Sequence, residues 1–373
     1  MKKILLSIFV FCFTINAFAQ DYKFKTTVDL EATPVISQGR TGTCWSFSAS
    51  SFLESEIIRL TGKQIDISEM FNVRNTYPKK AWNYVMRQGK AQFSEGGLAH
   101  DVINAVKAHG LVPNSAYSGL QTLQTNHNHA EMVAVLKAML NVYIKNPGKK
   151  LSTNWKPAIE NVLDVYLGKR PESFQFEGKT YTPQSFLEMT KINPDEYVTI
   201  TSFTHQPYYE SFILNIPDNF SNGSFYNVPL DELVAVTKNA LQTGYTVELD
   251  CDVSEATFSS KYAVATIPEK AVNSRKDFSA EIRKEKTITA DYRQQEFENY
   301  TTTDDHLMHI TGLATDQNGN TYFRVKNSWG SNTDRVPNDG HVQMSEAFFR
   351  LKTISVMVHK DALPKALRLK LGF

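Results

Sequence analysis

The sequence is poor in cysteine and carries no excess of either charge. Three of its 373 residues are cysteine, and 40 lysines and arginines are balanced by 39 aspartates and glutamates. This balance leaves no basic surplus to attract nucleic acid or an anionic membrane surface, so composition predicts neither as a partner. Internal repeats are also lacking. The hydrophobic fraction of 41% is typical of a globular protein, and the length suffices for one two-lobed domain or two domains.

The N-terminus holds an apolar run of a different character from the rest of the chain. Two lysines precede ILLSIFVFCFTINAF, and the AFA at 17–19 fits a small-x-small cleavage site. The run is short for a membrane span of about 20 residues. The sequence therefore predicts a signal peptide over 1–19, export to a periplasm or out of the cell, and no membrane association after cleavage.

Helical periodicity dominates the first two thirds of the chain, and alternating β-rich segments dominate the last third. This order predicts an α+β fold with a helical first lobe and a β-rich second lobe. The charged segment 275–299 is predicted to be a solvated helix or loop. Helices are predicted at 45–60, 98–110, 129–145, 155–168 and 229–244, and strands at 245–253, twice within 309–330, at 339–345 and at 353–359.

Cys44 stands at the start of the first predicted helix, in QGRTGTCWSFSA. Cys12 falls in the predicted signal peptide, so the mature chain would keep only Cys44 and Cys251. These two cysteines could form one disulfide, or Cys44 could be a lone reactive thiol. A helix N-terminus favours the thiolate, the reactive form. The side-chain amide of Gln38, with the Cys44 main-chain N–H, can hold a developing oxyanion. A structural cysteine at the end of a core helix is the alternative.

A base and its orienting partner are predicted further along the chain, in HLMHITG and VKNSWG. A hairpin turning at DQNGN brings Asn327 beside His309, and Trp329 can shield the bond between them. His306 is the local rival. Since residues three apart on a strand face opposite sides, only one histidine can meet Cys44. His309 is chosen because it opens the strand predicted to pair with Asn327.

These three segments together resemble the papain superfamily of cysteine peptidases. The stretch SEGGLAHDV at 94–102 is similar to the double glycine that lines the family's substrate cleft. The resemblance implies a substrate-binding role for Gly96 and Gly97, along with Trp329. It also implies that Cys44 is the nucleophile, His309 the general base and acid, Asn327 the orienting residue and Gln38 the oxyanion donor.

The gap between Cys44 and His309 narrows the resemblance to one branch. It exceeds the ~130–150 residues usual for papain-type enzymes by more than a hundred. PDEYVTI, FYNVPLDELVAV and LQTGYTVELDCDVSE resemble the bleomycin hydrolase and aminopeptidase C group, which implies a buried structural thiol at Cys251. The implied layout is one papain-like domain at 20–373, with a helical lobe at about 20–120, a helical insertion at about 121–200, a β-rich lobe at about 201–360 and a tail at 361–373.

The same resemblance implies an aminopeptidase acting on peptides through a thioester, with neither metal nor cofactor, and a possible homo-oligomer. In that group the C-terminal arm lies in the cleft, so the carboxylate of Phe373 is predicted to bind a substrate's α-amino group. The tail matches the group poorly. An endopeptidase with an unblocked cleft and a catalytically silent peptide-binding protein therefore remain as alternatives.

Overall fold

The structure is a computed structural model that describes residues 21–121, 124–146, 148–279, 281–331 and 336–373. Within these ranges no helix is both long enough and apolar enough to cross a membrane. The helices are α1 (Cys44–Thr61), α2 (Glu69–Met86), α3 (Ala99–His109), α4 (Ala130–Lys145), α5 (Trp155–Leu167), α6 (Pro183–Thr190), α7 (Leu230–Gln242), α8 (Ala290–Glu298), α9 (Glu346–Lys352) and α10 (Lys365–Leu371).

The strands lie mainly after residue 196. They are β1 (Lys25–Asp29), β2 (Phe174–Phe176), β3 (Lys179–Tyr181), β4 (Tyr197–Thr201), β5 (Ser211–Ile213), β6 (Ser224–Asn227), β7 (Val247–Cys251), β8 (Phe258–Ser259), β9 (Val264–Ala265), β10 (His306–Thr315), β11 (Thr321–Lys326), β12 (His341–Ser345) and β13 (Thr353–His359).

Helix α1 runs between the two lobes and is buried on nearly every face. Every residue from Cys44 to Ile58 is buried, because small and apolar side chains let α2, α3 and β10 pack closely around it. The helix ends at Gly62, whose φ of 71° is the left-handed conformation that closes a helix. Residues 45–60 were predicted to form this helix, and the prediction is confirmed.

The predicted insertion docks on the first lobe through α4 and α5, which pack on α2. Arg74 of α2 is 1% exposed, and its guanidinium contacts Asp164 at 2.6 Å and Glu160 at 2.7 Å on α5. A buried arginine held by two carboxylates fixes the angle between these helices. The segment 121–200 also holds the β2–β3 hairpin and most of β4, so it is not wholly helical. The domain boundaries stay a prediction.

The second lobe is built on one large sheet. Its strand order is β5-β6-β4-β13-β7-β10-β11-β12-β9-β8, and β1 pairs with β10. Apolar side chains of the sheet, α7, α9 and α10 form the second core. The segment 275–299 differs from its prediction, because α8 carries Arg293 with only 1% exposure. Its guanidinium donates to the main-chain carbonyl of Ser202 at 2.8 Å.

A β-bulge changes the register between β10 and β11. From the turn, Thr315 pairs with Thr321 and Gly312 with Arg324, but beyond the bulge Ile310 pairs with Val325. An uninterrupted ladder would set His309 opposite Asn327, whereas the bulge sets it opposite Lys326. Because a one-residue shift moves side chains to the other face of a strand, this bulge decides which histidine meets Asn327.

Candidate active site

Cys44 is the first residue of α1 and lies at the bottom of a cleft between the lobes. Gly42, Gly96, Gly97 and Leu307 line the cleft with it. Its main-chain N–H has no partner within the helix, because the first turn of a helix leaves such groups free. Thr43 precedes the helix, but its hydroxyl contacts that of Thr41 at 2.6 Å and does not cap the helix.

Burial raises the pKa of the Cys44 thiol to about 12, and the carboxylates of Asp304 and Asp218 also raise it. The main-chain N–H of Leu307 lowers the pKa of the thiol, though by less than burial raises it. Burial of the thiol opposes the effect of the helix N-terminus, which favours the thiolate. The thiol becomes a nucleophile when it passes its proton to a base.

His306, and not His309, contacts Asn327. The His306 Nε2 and Asn327 Oδ1 atoms are 2.8 Å apart, and each residue is 5% exposed. The same Oδ1 accepts the main-chain N–H of Ser328 at 2.7 Å, which identifies it as an acceptor. Nε2 therefore carries the proton of the neutral ring, and Nδ1 is left as the proton acceptor.

The surroundings of His306 hold its ring in place. The Trp329 ring lies over it with centroids 4.8 Å apart, so the indole covers the bond to Asn327. Burial lowers the pKa of His306, while Asn327 and Asp305 act in the opposite direction. Leu307, which donates its main-chain N–H toward the Cys44 sulfur, directly follows His306 in β10. A neutral imidazole beside a buried thiol can act as its base.

The prediction of His309 as the partner of Asn327 is wrong. The His309 Nδ1 atom lies 2.9 Å from the Ser51 hydroxyl of α1, and the ring is 1% exposed. Lys326, its partner across the ladder, reaches the same hydroxyl at 2.7 Å. The bulge placed His309 and Lys326 on the face toward α1 and left His306 and Asn327 on the other. An isolated glycine in a predicted strand, Gly312, was the sequence signal for that bulge.

A second polar cavity surrounds His309. Among the described residues, Glu54, Asp66 and Glu69 form the one carboxylate group with the spacing of a metal site, their oxygens within 4.8 Å of one another. The ammonium of Lys326 lies in the same cavity, where it donates to Thr33 at 3.0 Å. These carboxylates lower the charge cost of burying that lysine. Asn327 and Ser328 also line this cavity.

Gln38 links the Cys44 loop to the segment that carries Asn327. Its Nε2 donates to the Thr41 carbonyl at 2.7 Å, and its Oε1 accepts from the Ser328 hydroxyl at 2.5 Å. Since an amide nitrogen carries two protons, one N–H of Gln38 remains for another acceptor. Its main-chain N–H also donates to the Ser328 carbonyl at 2.9 Å. The side chain is thereby fixed at the mouth of the helix.

The double glycine forms one wall of the cleft that contains Cys44. Glu95 ties it to the Cys44 loop, because its carboxylate accepts from Gly42 N–H at 2.6 Å and its carbonyl from the Trp45 indole at 2.9 Å. A Cβ on Gly97 would lie 3.0 Å from the Trp45 ring, and one on Gly96 would lie 1.9 Å from Asp218 Oδ2. Only glycine fits this close approach of main chain and side chains.

The predicted position of Phe373 is wrong. The tail forms α10, and Leu367 and Leu371 are buried in the second core. The Phe373 ring packs on Tyr226 with centroids 5.0 Å apart, and the Lys360 ammonium lies 5.3 Å from it. Apolar burial against the sheet held the tail there, and none of its residues lines the Cys44 cleft.

Cys251 lies in β7 with no exposure, and both Cys44 and Cys251 are free thiols. β7 lies between β13 and β10, where Cys251 pairs with Thr353 and His306. The buried structural thiol implied by the resemblance is therefore confirmed, and the disulfide alternative is excluded. Burial raises the pKa of Cys251 well above its usual range, which leaves it unreactive.

Comparisons with known proteins show the same fold and related sequences. The chain is 23% identical over 374 residues to Aminopeptidase C of Lactococcus lactis subsp. cremoris, covering 90% of this chain and 83% of that protein. It is 22% identical to Aminopeptidase C of Listeria monocytogenes, covering 89% and 81%. The crystal structure of PepW from Lactobacillus rhamnosis superposes with a TM-score of 0.74 at 18% identity, covering 93% of this chain and 84% of that one. The predicted α+β, papain-like fold is confirmed.

The prediction of export is wrong by these comparisons. The aminopeptidase C relatives and PepW are intracellular enzymes, and a further relative is named as a mitochondrial cysteine proteinase of Saccharomyces cerevisiae. The predicted signal peptide at 1–19 lies outside the described residues.

A family model describes most of the chain. The model of the Peptidase C1-like family matches residues 79–371, a span that contains Gly96, His306, Asn327 and Trp329. Cys44 and Gln38 precede the matched span, but the structure brings both to the cleft that the matched segments line. The predicted resemblance to cysteine peptidases of the aminopeptidase C group is confirmed. The chain belongs to the Peptidase C1-like family.

Proposed function

We propose that the chain is a cysteine aminopeptidase that removes N-terminal residues from peptides through a Cys44–His306–Asn327 triad. The observation that carries this proposal is the 2.8 Å contact of His306 with Asn327 in the strand whose next residue, Leu307, faces the Cys44 sulfur. The relatives named Aminopeptidase C support the exopeptidase action.

The first step is the formation of the acyl-enzyme. The Cys44 thiol gives its proton to His306 Nδ1, and the sulfur attacks the carbonyl carbon of the scissile bond. Asn327 accepts from His306 Nε2 and stabilises the imidazolium that forms. The oxyanion accepts from the Cys44 main-chain N–H and from the remaining N–H of Gln38. His306 then protonates the leaving amine, and the acyl group stays on sulfur as a thioester.

The second step releases the acyl group. His306 removes a proton from water, which attacks the thioester, and the tetrahedral intermediate expels the Cys44 sulfur. Trp329 keeps bulk water away from the bond between His306 and Asn327. Substrate main chain runs along Gly96 and Gly97, whose lack of side chains leaves room for an extended peptide.

One observation favours an endopeptidase as the alternative. Phe373 and α10 lie on the second core, so the tail does not fill the cleft that contains Cys44. A peptide could then pass through the cleft in both directions. A homo-oligomer, also predicted, is tested by measuring the native mass in solution.

The test uses one peptide set with free and acetylated N-termini, with products identified by mass spectrometry. Cys44→Ala should abolish hydrolysis, whereas Cys251→Ala, the matched change at the unreactive thiol, should retain it. Release of single N-terminal residues supports the aminopeptidase, and internal cleavage of acetylated peptides supports the endopeptidase. Binding without cleavage by the unmodified protein would contradict both.

A further inference from the structure

Carboxylates crowd one side of the Cys44 cleft. Asp218 and Asp304 line it beside the double glycine, and both act on the Cys44 thiol, as does Asp250 beneath them. The triad described above uses none of the three. Asp218 and Asp304 lie in the same cavity as the nucleophile and the double glycine.

Asp218 lies directly over Gly96. Its Oδ2 atom occupies the space of a missing side chain, 1.9 Å from the position of a Cβ on Gly96. Its other oxygen, Oδ1, accepts from the Gln92 amide at 2.6 Å. The Gln92 amide thus holds Oδ1, while Oδ2 lies next to Gly96, along which the substrate main chain is proposed to run.

Asp304 and Asp250 form a carboxyl pair that is incompletely satisfied. Asp250 is 1% exposed, and its Oδ1 has no hydrogen-bond partner in the part of the chain that the structure describes. The same holds for the buried Oδ2 of Asp304, which lines the cleft. Burial, followed by the charges of Asp218 and Asp305, raises the pKa of Asp304 to about 7. Asp250 and Asp304 hydrogen-bond to each other, and the Asp218 main-chain N–H donates to Asp304. A buried carboxylate oxygen without a donor is costly, and a bound cation would supply the donors that the remaining oxygens lack.

The nearby lysine does not pair with these groups. Lys80 donates to the Gly96 carbonyl, and within the described ranges no ion pair of 4.0 Å or less joins it to Asp218 or Asp304. Its charge favours the ionised carboxylates from a distance. Asp218 and Asp304 line one cavity with Cys44, and no lysine of the described ranges is ion-paired to either carboxylate there.

We propose that Asp218 and Asp304 bind the free α-ammonium group of the substrate's N-terminal residue and so restrict the enzyme to unblocked peptides. This inference rests on the proposed function, since it assigns the substrate's first residue to the Cys44 cleft. Side-chain carboxylates of the cleft wall take this role because the chain's own C-terminal carboxylate lies on the second core. The three N–H donors of an ammonium match the free oxygens of the two residues.

The experiment removes the positive charge of the substrate's α-amino group in two ways, and removes the negative charge of one aspartate of the enzyme. The substrates are a leucyl amide that releases a fluorescent amine, its acetylated form, and the analogue in which a hydroxyl replaces the α-amino group. We expect kcat/KM to favour the free amine over the hydroxyl analogue by about 10- to 100-fold, the range for a hydrogen bond to a charged group. Asp304→Asn and Asp218→Asn should each lower that preference by about tenfold.

Three readouts separate this inference from the proposed function. Asp195→Asn, the same change at an exposed aspartate paired with Lys107, is the matched control and should leave the preference unaltered. Alkylation of Cys44 by iodoacetamide and the circular dichroism spectrum report whether the Asn variants retain the site and the fold. Asp218 is half-buried, so Asp218→Asn keeps the test available if Asp304→Asn fails to fold.

Equal cleavage of all three substrates by the unmodified enzyme would overturn the inference and leave the peptidase intact. A preference that survives both Asn substitutions would also overturn it. If no substrate is cleaved and Cys44→Ala changes nothing, the proposed function fails and the inference fails with it.

Discussion

β10 carries two histidines on opposite faces, and their surroundings differ completely. His306 lies on the face that Asn327 shares, where Asn327 holds its Nε2 at 2.8 Å and Trp329 covers the ring. His309 faces α1, where Ser51 holds its Nδ1 at 2.9 Å and its Nε2 has no partner among the described residues. Both rings are buried, so burial alone does not mark a catalytic histidine.

The difference lies in the second ring nitrogen and what it can reach. Asn327 holds the Nε2 of His306 and leaves its Nδ1 as the proton acceptor, which is the arrangement of a base held by an orienting group. His309 has a lysine across the ladder, and a neighbouring cation opposes protonation. His306, which must accept a proton, and His309, which is kept neutral, are thus only three positions apart in β10.

The largest expected effect is the difference in activity between two single variants, His306→Ala and His309→Ala. His306→Ala should lower kcat by about 10⁴-fold or more, the scale of losing a triad base. His309→Ala should keep kcat within about tenfold but destabilise the fold by about 2 kcal/mol, because it empties a buried site next to Phe52. Steady-state rates and urea unfolding measure both. The reverse pattern of activities would make His309 the base after all.

The next effect concerns the oxyanion. Gln38→Ala should lower kcat by about 10²- to 10³-fold with little change in KM, the usual loss for one oxyanion donor. Gln184→Ala, the same change on an exposed face of α6, serves as the control. A rise in KM with unchanged kcat would mean that Gln38 shapes the cleft without contacting the oxyanion.

The bulge that separates the two faces can be strained directly. A Cβ on Gly312 would lie 2.2 Å from the Val28 carbonyl oxygen of β1. Gly312→Ala should therefore cost about 1–3 kcal/mol of unfolding free energy, the range for overpacking. Gly148→Ala is the control, because nothing lies within 4 Å of a Cβ there. Equal stability of the two variants would show that β1 does not constrain the bulge.

The smallest effect is a pH dependence specific to His309. Burial, followed by the charges of Lys326 and His341, holds the pKa of His309 well below its usual range. Below about pH 6.5 the unfolded chain therefore binds a proton that the folded one does not, and stability falls as pH falls. The unfolding free energy of the unmodified protein relative to His309→Gln should drop by at most about 1.4 kcal/mol per pH unit.

The quantity to measure is the difference in unfolding free energy between the unmodified protein and His309→Gln, because other groups of the same cavity also titrate. The pKa of Glu54 in the same cavity is raised to about 7, chiefly by burial, so its contribution to stability has the opposite sign and is lost as pH rises. That contribution is common to both proteins and cancels in the comparison to first order. A stability difference that stays constant from pH 8 to pH 5 would show that His309 titrates normally in the fold.

Sequence patterns identified the long elements of this protein because those elements are decided locally. The helices at 98–110, 129–145, 155–168 and 229–244 correspond to α3, α4, α5 and α7, each ending within two residues of its prediction. Apolar periodicity and terminal glycines act within a few turns. The helix α2 was not predicted, since its burial on nearly all sides removes the periodic pattern.

The site was predictable to the level of its segments and no further. Cys44, Gln38 and Asn327 were located by their neighbours in sequence, and the structure brings their segments together at one cleft. The choice between His306 and His309 depended on strand register, which one extra residue reverses. Asp218, Asp250 and Asp304 come from separate parts of the chain, so no local pattern joins them.

By itself, therefore, the sequence determined which segments carry the chemistry and which helices and strands hold them, because those properties depend on residue type and short-range spacing. Only the tertiary structure decided which histidine contacts Asn327, where the C-terminal tail lies, and that three distant carboxylates meet beside Cys44. Each of these depends on long-range packing: a bulge against β1, apolar burial of α10 on the second core, and the close approach of Asp218 to Gly96.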